Sequence, residues 1–411
     1  MKSEKIETIS ADPSGYRAFC LACRASFEEK FGKEGDIRVV SAPGRTEISG
    51  NHTDHNGGRV IAAAVEPDAV AVCRKRDDSL VRLFSEHFGE ISLELSSLAP
   101  VEKEKYTSAS LIRGVAASLA EKGRIIGGFD AFLSSRVQTG SGLSSSAAFE
   151  CCIAAVFDRL YNGGALTPLE AALAGQKAEN AYFGKPSGLM DQTASAFGGF
   201  VTIDFRSPTN PVIESLPIDV MRGGFSTVIV NCRSSHGGLT DAYAAIPSEM
   251  KAAAAICGKT RLADLSEEEL IAAIPAIRRS EGDRAVLRSL HFFEENRRVA
   301  KQVDAIRRGD VLSFLRLVRE SGNSSAAFLQ NLYVNVRPRQ QSLPVALALS
   351  STFGDDVFAR VHGGGFAGTI LAFVKNEVCD AYLAALDGVF GEGSCKKTAI
   401  RPVGACEVLL A

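Results

Sequence analysis

Residues 43–58, PGRTEISGNHTDHNGG, concentrate Arg45, His52, Asp54 and His55 among glycines. A half-buried strand cannot easily hide so many polar groups, so the segment is better explained as a ligand-binding loop. His52 and Asp54 could exchange hydrogen bonds with vicinal sugar hydroxyls, and Arg45 could stabilise transition-state charge. Zinc is the alternative, since both histidines and the aspartate are possible ligands, but no H-E-x-x-H pattern or distant Cys/His partner supports it.

A second segment, GSGLSSSA at residues 140–147, lies where a predicted strand runs into a predicted helix. Gly140 and Gly142 would let the backbone approach a ligand closely, and the N-terminus of the following helix favours an anion. The hydroxyls of residues 144–146 could donate to phosphate oxygens or bind Mg²⁺. A flexible Gly/Ser turn before a helix is the structural alternative.

Two other phosphate-binding patterns can be set aside. The Walker pattern, G-x-x-x-x-G-K-[ST], does not occur in the chain. Gly363, Gly365 and Gly368 satisfy G-x-G-x-x-G, but the TILAFV that follows is typical of a strand, whereas a Rossmann fingerprint requires a helix.

The third segment, residues 177–199, contains Glu179 and Asp191. On a predicted helix from Thr167 to Tyr182, Glu179 falls on the same face as Ala172, so its carboxylate should point inward. It then needs either Mg²⁺ or a salt bridge to Arg or Lys. Asp191 could accept a hydroxyl proton, as phosphoryl transfer requires, or it could cap a helix.

These segments must be positioned by a mixture of helices and strands. We expect a helix over Gly15–Phe31 and a strand in IRVVSAPG that ends at Pro43 and Gly44. Thr167 and Glu170 form the pattern of a capping box. The Pro-containing RSPTNP after FVTIDF suggests a domain boundary, dividing the chain into 1–205 and 206–411. Most of residues 247–345 should be helical, with further strands in RVHGGGFAGTILAFV and the final VGACEVLLA.

Composition narrows the class of partner. The formal net charge is −2, so no excess of Lys and Arg is available for nucleic acid or an anionic membrane, and a small-molecule substrate is favoured. No apolar run reaches 18 residues, which favours a cytoplasmic protein. The ten cysteines are scattered, and buried reduced thiols explain them better than a zinc site.

With these three segments in this order, the chain resembles the galactokinases of the GHMP kinase superfamily over nearly its full length. The family's P-G-R-x-x-x-x-G-E-H-T-D-Y-N-x-G is similar to residues 43–58, its P-x-G-x-G-L-S-S-S-A to 138–147, and its G-x-G-F-G-G to 363–368. The resemblance implies a two-lobed α+β fold with the active site between the lobes, and substrates that are ATP and a hexose.

The resemblance also implies roles for individual residues. The catalytic aspartate falls on Asp191 in SGLMDQ and the transition-state arginine on Arg45, while Mg²⁺ would be held by Ser146 and Glu179. Nucleotide-binding positions fall on Gly140, Ser141, Gly142, Leu143, Ser144, Ser145 and Ser146. Substrate-binding positions fall on Asn51, His52, Thr53, Asp54, Gly188 and Tyr243.

Several positions depart from the family pattern. Asn51 replaces the glutamate of G-E-H-T-D, which in the family contacts the sugar's 6-hydroxyl, and Glu47 replaces an asparagine. An amide at position 51 would no longer repel a C6-carboxylate sugar there. The expected activity is therefore phosphorylation of galactose at C1, with a kinase for galacturonate, N-acetylgalactosamine or arabinose as the first alternative. A non-catalytic ATP and sugar sensor is the second.

Overall fold

The computed structural model describes residues 1–138, 142–207, 210–217, 223–235 and 237–410, which form two compact units. Unit 1 comprises Met1–Arg45, Ala63–Gly199 and Ile400–Ala411, and unit 2 comprises Thr46–Ala62 and Phe200–Ala399. Each unit is thus assembled from separated stretches of chain. The division into domains 1–205 and 206–411, with a boundary after residue 205, stays a prediction.

Unit 1 is built around a mixed sheet in the order β1-β13-β2-β3-β6-β4-β5, with strands numbered along the whole chain. Its strands are β1 (Ser3–Lys5), β2 (Ile37–Ser49), β3 (Arg59–Lys75), β4 (Leu80–Ser85), β5 (Gly89–Glu94), β6 (Phe129–Ser135) and β13 (Cys406–Leu409), of which β2 and β3 extend into unit 2. The β1–β13 and β4–β6 pairs are parallel, and the β2–β13, β3–β6 and β4–β5 pairs are antiparallel.

The helices of unit 1 pack on this sheet or on one another. They are α1 (Ile6–Ile9), α2 (Pro13–Phe31), α3 (Ser108–Glu121), α4 (Ser145–Tyr161), α5 (Pro168–Lys177) and α6 (Met190–Phe197). The predicted N-terminal helix is confirmed, and the side chains it buries recur every three or four residues, as one helix face requires. The capping box of Thr167 and Glu170 is also confirmed at the start of α5, and a π-helical segment, Ala178–Phe183, follows this helix.

The predicted break at Pro43 and Gly44 is wrong, because β2 continues through both residues to Ser49. Ser195 donates a hydrogen bond of 2.7 Å to the Pro43 carbonyl. A Cβ on Gly44 would lie 2.8 Å from the carbonyl oxygen of Leu143, so only glycine permits this close approach. Distant partners therefore keep the strand extended and place Arg45, which directly follows Gly44 within β2.

A buried carboxylate, Asp68, joins four segments of unit 1. It accepts hydrogen bonds from Arg401 at 2.7 Å, Arg136 at 2.6 Å, Tyr16 at 2.6 Å and Ser41 at 2.5 Å. Burial alone would raise the pKa of Asp68, but the two guanidinium groups and the hydroxyl donors outweigh burial and lower it. The ionised carboxylate thereby anchors the C-terminal stretch beside the N-terminal helix.

Unit 2 contains a four-stranded antiparallel sheet and most of the remaining helices. The strands of unit 2, including two that lie outside this sheet, are β7 (Phe200–Asp204), β8 (Val212–Leu216), β9 (Phe225–Asn231), β10 (Val357–Val361), β11 (Thr369–Lys375) and β12 (Cys395–Thr398). Its helices are α7 (Thr240–Ile256), α8 (Glu267–Ser280), α9 (Asp283–Arg307), α10 (Val311–Ser324), α11 (Ser342–Ser351) and α12 (Cys379–Phe390). The sheet order is β10-β11-β9-β12, and β7 pairs with β8.

The predicted α+β class is confirmed, as is the largely helical stretch between residues 247 and 345. RVHGGGFAGTILAFV forms two antiparallel strands, β10 and β11, joined by a glycine turn, so the G-x-G-x-x-G match does not open a helix. All ten cysteines are unpaired. Within the described ranges, no helix is both long enough and apolar enough to span a bilayer.

We expect Asp68→Asn to lower the free energy of unfolding by about 3 kcal/mol, because it leaves the buried Arg401 and the partly buried Arg136 poorly compensated. The stabilisation by Asp68 should be present above its unfolded-state pKa and be lost as pH falls through the lower folded-state pKa. Urea unfolding at pH 7 measures the loss. The exposed Asp77→Asn is the matched control, and an equal effect of both substitutions would contradict this role.

Candidate functional site

In unit 1, Arg45 and Asp191 form a bidentate ion pair. Nε and Nη2 of Arg45 lie 2.6 and 2.7 Å from the two oxygens of Asp191, and Nη1 donates to the Gly142 carbonyl at 2.5 Å. The Ser144 hydroxyl donates to Oδ2 of Asp191. Asp191 lies in the first turn of α6, whose N-cap is Leu189, so the helix-cap interpretation of Asp191 does not hold. The arrangement fixes the direction of a carboxylate whose side chain is still 31% exposed.

The charge state of Asp191 follows from these contacts. Desolvation would raise its pKa, but the Arg45 charge, followed by the hydrogen bonds from Arg45 and Ser144, outweighs it and lowers the pKa. Asp191 is therefore an ionised hydrogen-bond acceptor throughout the neutral range. A carboxylate with a lowered pKa is a weak base, so it is better suited to orient a hydroxyl than to remove its proton early.

A second acidic group lies in the π-helical segment that follows α5. Glu179 is buried, as its predicted position on the helix face requires, and its Oε1 lies 3.1 Å from Oγ of Ser146 and 2.6 Å from Nζ of Lys185. The two oxygens are hard ligands on neighbouring elements, as Mg²⁺ prefers. Lys185 already holds a positive charge at the same oxygen, so the pair accommodates a cation. The salt-bridge and magnesium interpretations of Glu179 are thus compatible.

A buried amide, Gln192, holds Glu179 in place and also contacts a second buried acid, Glu150. Nε2 of Gln192 donates to Oε2 of Glu179 at 3.0 Å and to Oε2 of Glu150 at 2.9 Å. Burial and then the charge of Glu179 raise the pKa of Glu150 well above its usual value. One amide therefore links the Glu179 side chain to a carboxyl group that favours its neutral form.

The serine-rich segment leads into the N-terminus of α4, where unpaired backbone N–H groups favour an anion. Gly142 has φ 76° and Ser144, the N-cap, has φ 56°, so the chain enters the helix through left-handed conformations. Leu143 is buried, and its carbonyl accepts from the backbone N–H of Arg45 at 2.9 Å. Predicted nucleotide-binding residues Gly140 and Ser141 lie outside the described residues.

A cavity of about 640 Å³ lies beside the start of α4, entirely within unit 1. Ser145 and Ser146 line one part of it, and the aromatic residues Phe88, Tyr106 and Phe183 line another. The rings of Tyr106 and Phe183 meet edge to face with centroids 5.7 Å apart. The cavity thus places aromatic surfaces near the candidate phosphate-binding turn, as a planar base with a phosphate chain would require.

In unit 2, the loop after β2 is fastened to the glycine turn at residues 363–365. His52 has φ 58°, and its Nε2 lies 3.0 Å from the Gly364 carbonyl, which can only accept, so Nε2 carries the proton. Burial lowers the pKa of His52 to about 4, so the imidazole is neutral at pH 7. Its Nδ1 is then an acceptor, and it could accept a hydrogen bond from a hydroxyl group.

Tyr243 approaches the same turn from α7. Its hydroxyl donates to the Gly365 carbonyl at 2.7 Å, and burial raises its pKa to about 12. A Cβ on Gly364 would lie 2.9 Å from the Tyr243 ring, and one on Gly365 would lie 2.2 Å from the Asn331 carbonyl oxygen. Glycine is therefore required where the turn passes between these two residues.

The other predicted substrate-binding residues have different environments. Thr53 is buried, and its hydroxyl is within 2.9 Å of the Gly50 carbonyl and 2.8 Å of the Arg59 carbonyl, which makes it a fastening residue of the loop. Asp54 lies 3.6 Å from His55, and Gly188 precedes α6 in unit 1. Among the described residues, no three His, Cys, Asp or Glu side chains form a group that could hold a metal ion.

Asn51 is the centre of a buried polar network. Its Nδ2 donates to Oε1 of Glu47 at 2.9 Å and to the Gly363 carbonyl at 2.8 Å. Its Oδ1 accepts from Asn331 at 2.7 Å and from Ser325 at 3.2 Å. Both N–H bonds and the carbonyl oxygen are thus engaged within unit 2.

Sequence reasoning alone did not identify several of these residues. Lys185, Gln192 and Glu150 contact or flank the Glu179 carboxylate, and Arg360 pairs with Glu47 at 3.0 Å. The spacing of Ser146 and Glu150, four residues apart on α4, could have indicated that both lie on one helix face. No local signal indicated the others. Arg360 is 313 residues from Glu47, and Lys185 and Gln192, 6 and 13 residues from Glu179, lie beyond the π-helical segment that contains it.

Family models match two stretches of the chain. The galactokinase galactose-binding signature matches residues 25–75, and the GHMP kinases N terminal domain matches residues 110–199. A galactokinase of Streptomyces coelicolor is 32% identical over 375 residues, which cover 90% of this chain and 92% of that protein.

Solved structures show the same fold. A Lactococcus lactis galactokinase complexed with galactose is 25% identical, with a TM-score of 0.79 over 95% of this chain and 99% of that one. The Methanococcus jannaschii mevalonate kinase is 14% identical, with a TM-score of 0.64 over 90% of this chain and 99% of that one, and shows the fold alone. The predicted GHMP kinase fold is confirmed.

We expect Glu150→Gln to change the pH dependence of stability. A carboxyl group with a raised folded-state pKa stabilises the fold below its unfolded-state pKa, and this contribution is lost as pH rises toward the folded-state pKa. The amide keeps an acceptor for Gln192 but cannot ionise. The variant should therefore match the wild type in urea unfolding at pH 5 and exceed it at pH 8. Equal differences at both pH values would contradict a neutral Glu150.

Proposed function

The chain belongs to the galactokinase family, and we propose that it transfers the γ-phosphoryl group of ATP to the C1 hydroxyl of galactose, giving galactose 1-phosphate and ADP. The observation that carries the proposal is the Asp191 carboxylate held by Arg45 and Ser144 beside the start of α4. An ionised acceptor next to a helix N-terminus suits a reaction that brings a hydroxyl to a phosphate.

In the proposed reaction, the C1 oxygen forms a bond to the γ-phosphorus while the bond from that phosphorus to the β,γ-bridging oxygen breaks. The hydroxyl proton passes to Asp191 and then to solvent. Because the Asp191 pKa is lowered, the carboxylate becomes an effective acceptor only once bond formation has made the hydroxyl acidic. Arg45 offsets the negative charge of the reacting groups.

Mg²⁺ would be held by Ser146 and Glu179, whose oxygens are 3.1 Å apart. Mg²⁺ held there would supply positive charge that offsets the negative charge of the phosphates. Gln192 keeps Glu179 oriented through Oε2, leaving Oε1 for Ser146 and a cation.

Sugar recognition is assigned to His52, Asp54, Gly188 and Tyr243. The neutral His52 offers Nδ1 as an acceptor, and Asp54 offers a carboxylate. Thr53 fastens the loop that carries them. The substrates of this proposal are small molecules, and the predictions of a cytoplasmic location and of no nucleic-acid or membrane partner stay predictions.

Steady-state kinetics with galactose, galacturonate, N-acetylgalactosamine and arabinose test the proposal. We expect the highest kcat/KM for galactose. A higher kcat/KM for one of the other sugars would show that this sugar, and not galactose, is the preferred substrate. Nucleotide and sugar binding without turnover of any of the four would instead favour a sensor.

We expect Asp191→Asn to reduce kcat at least 1000-fold while ATP still binds, because the amide cannot accept the hydroxyl proton and no longer pairs ionically with Arg45. Coupled ADP-release assays measure kcat, and calorimetry measures nucleotide binding. The exposed Asp77→Asn controls for the loss of one carboxylate. Near-normal turnover of the Asp191 variant would refute this role.

We expect Tyr106→Ala to raise the KM for ATP about tenfold, with little change in the KM for sugar, because it removes an aromatic surface from the cavity beside α4. Initial rates at varied ATP and fixed sugar measure the effect. Tyr106→Phe keeps the ring and should behave as the wild type. An unchanged KM for ATP in the alanine variant would indicate that the base of ATP binds elsewhere.

A further inference from the structure

A second cavity lies within unit 2. Its volume is about 350 Å³, and it is lined by residues of α7, α9, the segment that follows α10 and the residue after the glycine turn. Leu239, Val334 and Phe366 give it a buried apolar wall, and the half-exposed Tyr333 also lines it. Of the residues assigned to nucleotide or sugar binding, none that the structure describes lines this cavity. Its size and apolar wall suit a small organic molecule.

A buried guanidinium group lines the same cavity. Arg288 of α9 is only 1% exposed, and its Nε donates to the Leu329 carbonyl at 3.1 Å. Its Nη1 lies 2.8 Å from Oε2 of Glu249, but the described residues provide no hydrogen-bond partner for Nη2. A desolvated N–H group without an acceptor costs free energy, so Nη2 is the atom at which an anionic ligand would bind.

The Glu249 carboxylate is shared between two guanidinium groups. Besides its bond to Arg288, it accepts from Nε of Arg284 at 3.0 Å, and Arg284 also lines the cavity. Burial lowers the pKa of Arg288, and the charge of Arg284 lowers it further against the opposing charge of Glu249. A single carboxylate therefore compensates the two cations only in part.

Two more charged groups lie at the opposite end of the cavity. Asp241 and Gly238 both line it, and a Cβ on Gly238 would lie 3.7 Å from Nη2 of Arg337. Together with the pair on α9, these residues give three guanidinium groups and two carboxylates, which is an excess of one positive charge. A ligand with one negative charge would neutralise this excess.

The cavity shares a wall with the glycine turn. Phe366 directly follows Gly365, and its backbone N–H donates to the Asn331 carbonyl. Its ring meets the Tyr243 ring edge to face with centroids 5.2 Å apart, and the Tyr243 hydroxyl donates to the Gly365 carbonyl at 2.7 Å. An occupant of the cavity would therefore contact the residue that packs against Tyr243.

We propose that this cavity is a second ligand site, which binds a small monocarboxylate with an apolar body and is coupled to the sugar site through Phe366 and Tyr243. The carboxylate accepts a hydrogen bond from Nη2 of Arg288, and the apolar body packs on Phe366 and Tyr333. A phosphate monoester carries about two negative charges at pH 7, more than the cavity compensates. The coupling rests on the proposed function, whereas the site does not.

Three ligands of one shape test the charge preference. Benzoate is the probe, benzamide is its uncharged analogue, and phenyl phosphate carries more negative charge. In saturation-transfer NMR titrations of the full chain, we expect benzoate to bind at least about tenfold more tightly than benzamide and more tightly than phenyl phosphate. No benzoate binding, or equal binding of benzamide, would overturn the anion site. Tighter binding of phenyl phosphate would overturn the assignment to a monocarboxylate.

Two substitutions test whether benzoate binds in this cavity. Tyr333→Ala should weaken benzoate binding about fivefold, because it removes an aromatic surface, and at 46% exposure the change should spare the fold. Arg288→Lys keeps a cation for Glu249 but lacks the second terminal nitrogen, so it should weaken binding about tenfold. The exposed Arg308→Gln is the control for a loss of charge. Unchanged affinity in Tyr333→Ala would overturn the site, even if Arg288→Lys fails to fold.

Calorimetric titration with galactose, with and without saturating benzoate, tests the coupling. Galactose should bind about threefold more tightly in the presence of benzoate, because an occupant behind Phe366 restricts Tyr243 before the sugar arrives. Unchanged or weaker galactose binding would overturn the coupling. No galactose binding at all would overturn the coupling and also contradict the proposed function, and the benzoate titrations decide the site in either case.

Discussion

The bidentate pair of Arg45 and Asp191 is the interaction on which the chemistry of unit 1 depends. A carboxylate in a partly buried site would ordinarily gain a proton, and then it could no longer accept one from a substrate. The guanidinium prevents this and also fixes the plane of the carboxylate. The same guanidinium lowers the basicity of Asp191. This carboxylate is therefore a weak base that contributes chiefly orientation and negative charge.

In unit 2, a steric constraint on the glycine turn fixes the orientation of polar side chains. Its glycine turn accepts hydrogen bonds from the side chains of Asn51, His52 and Tyr243, and these contacts require backbone with no Cβ at Gly364 and Gly365. Carbonyl oxygens can only accept, so the turn determines which nitrogen of His52 is protonated. The carbonyl groups of the turn thus fix which side-chain atoms act as hydrogen-bond donors.

Sequence reasoning succeeded where the signal was local. The capping box of Thr167 and Glu170 depends on residues three apart, and the inward position of Glu179 follows from helical periodicity. It failed at Pro43, because the extended strand there is maintained by Ser195, which is 152 residues away. Arg360, the partner of Glu47, was inaccessible for the same reason, because it is 313 residues away. Lys185 is only six residues from Glu179, but it lies beyond the end of the helical segment, where helical periodicity no longer applies. Local rules therefore locate functional side chains better than they locate the groups that set their charge.

The charges around Glu179 illustrate why those groups matter. Two carboxyl groups bonded to one amide cannot both ionise cheaply in a buried site, and the structure assigns the neutral form to Glu150 and the cation to Glu179. Lys185 is 58% exposed, so under the proposed function it would leave Glu179 at little cost if a divalent ion took its place. Gln192 would keep its bond to Oε2 throughout, and because it directly follows Asp191 on α6, the same short helix would orient both the proposed cation ligand and the proposed proton acceptor.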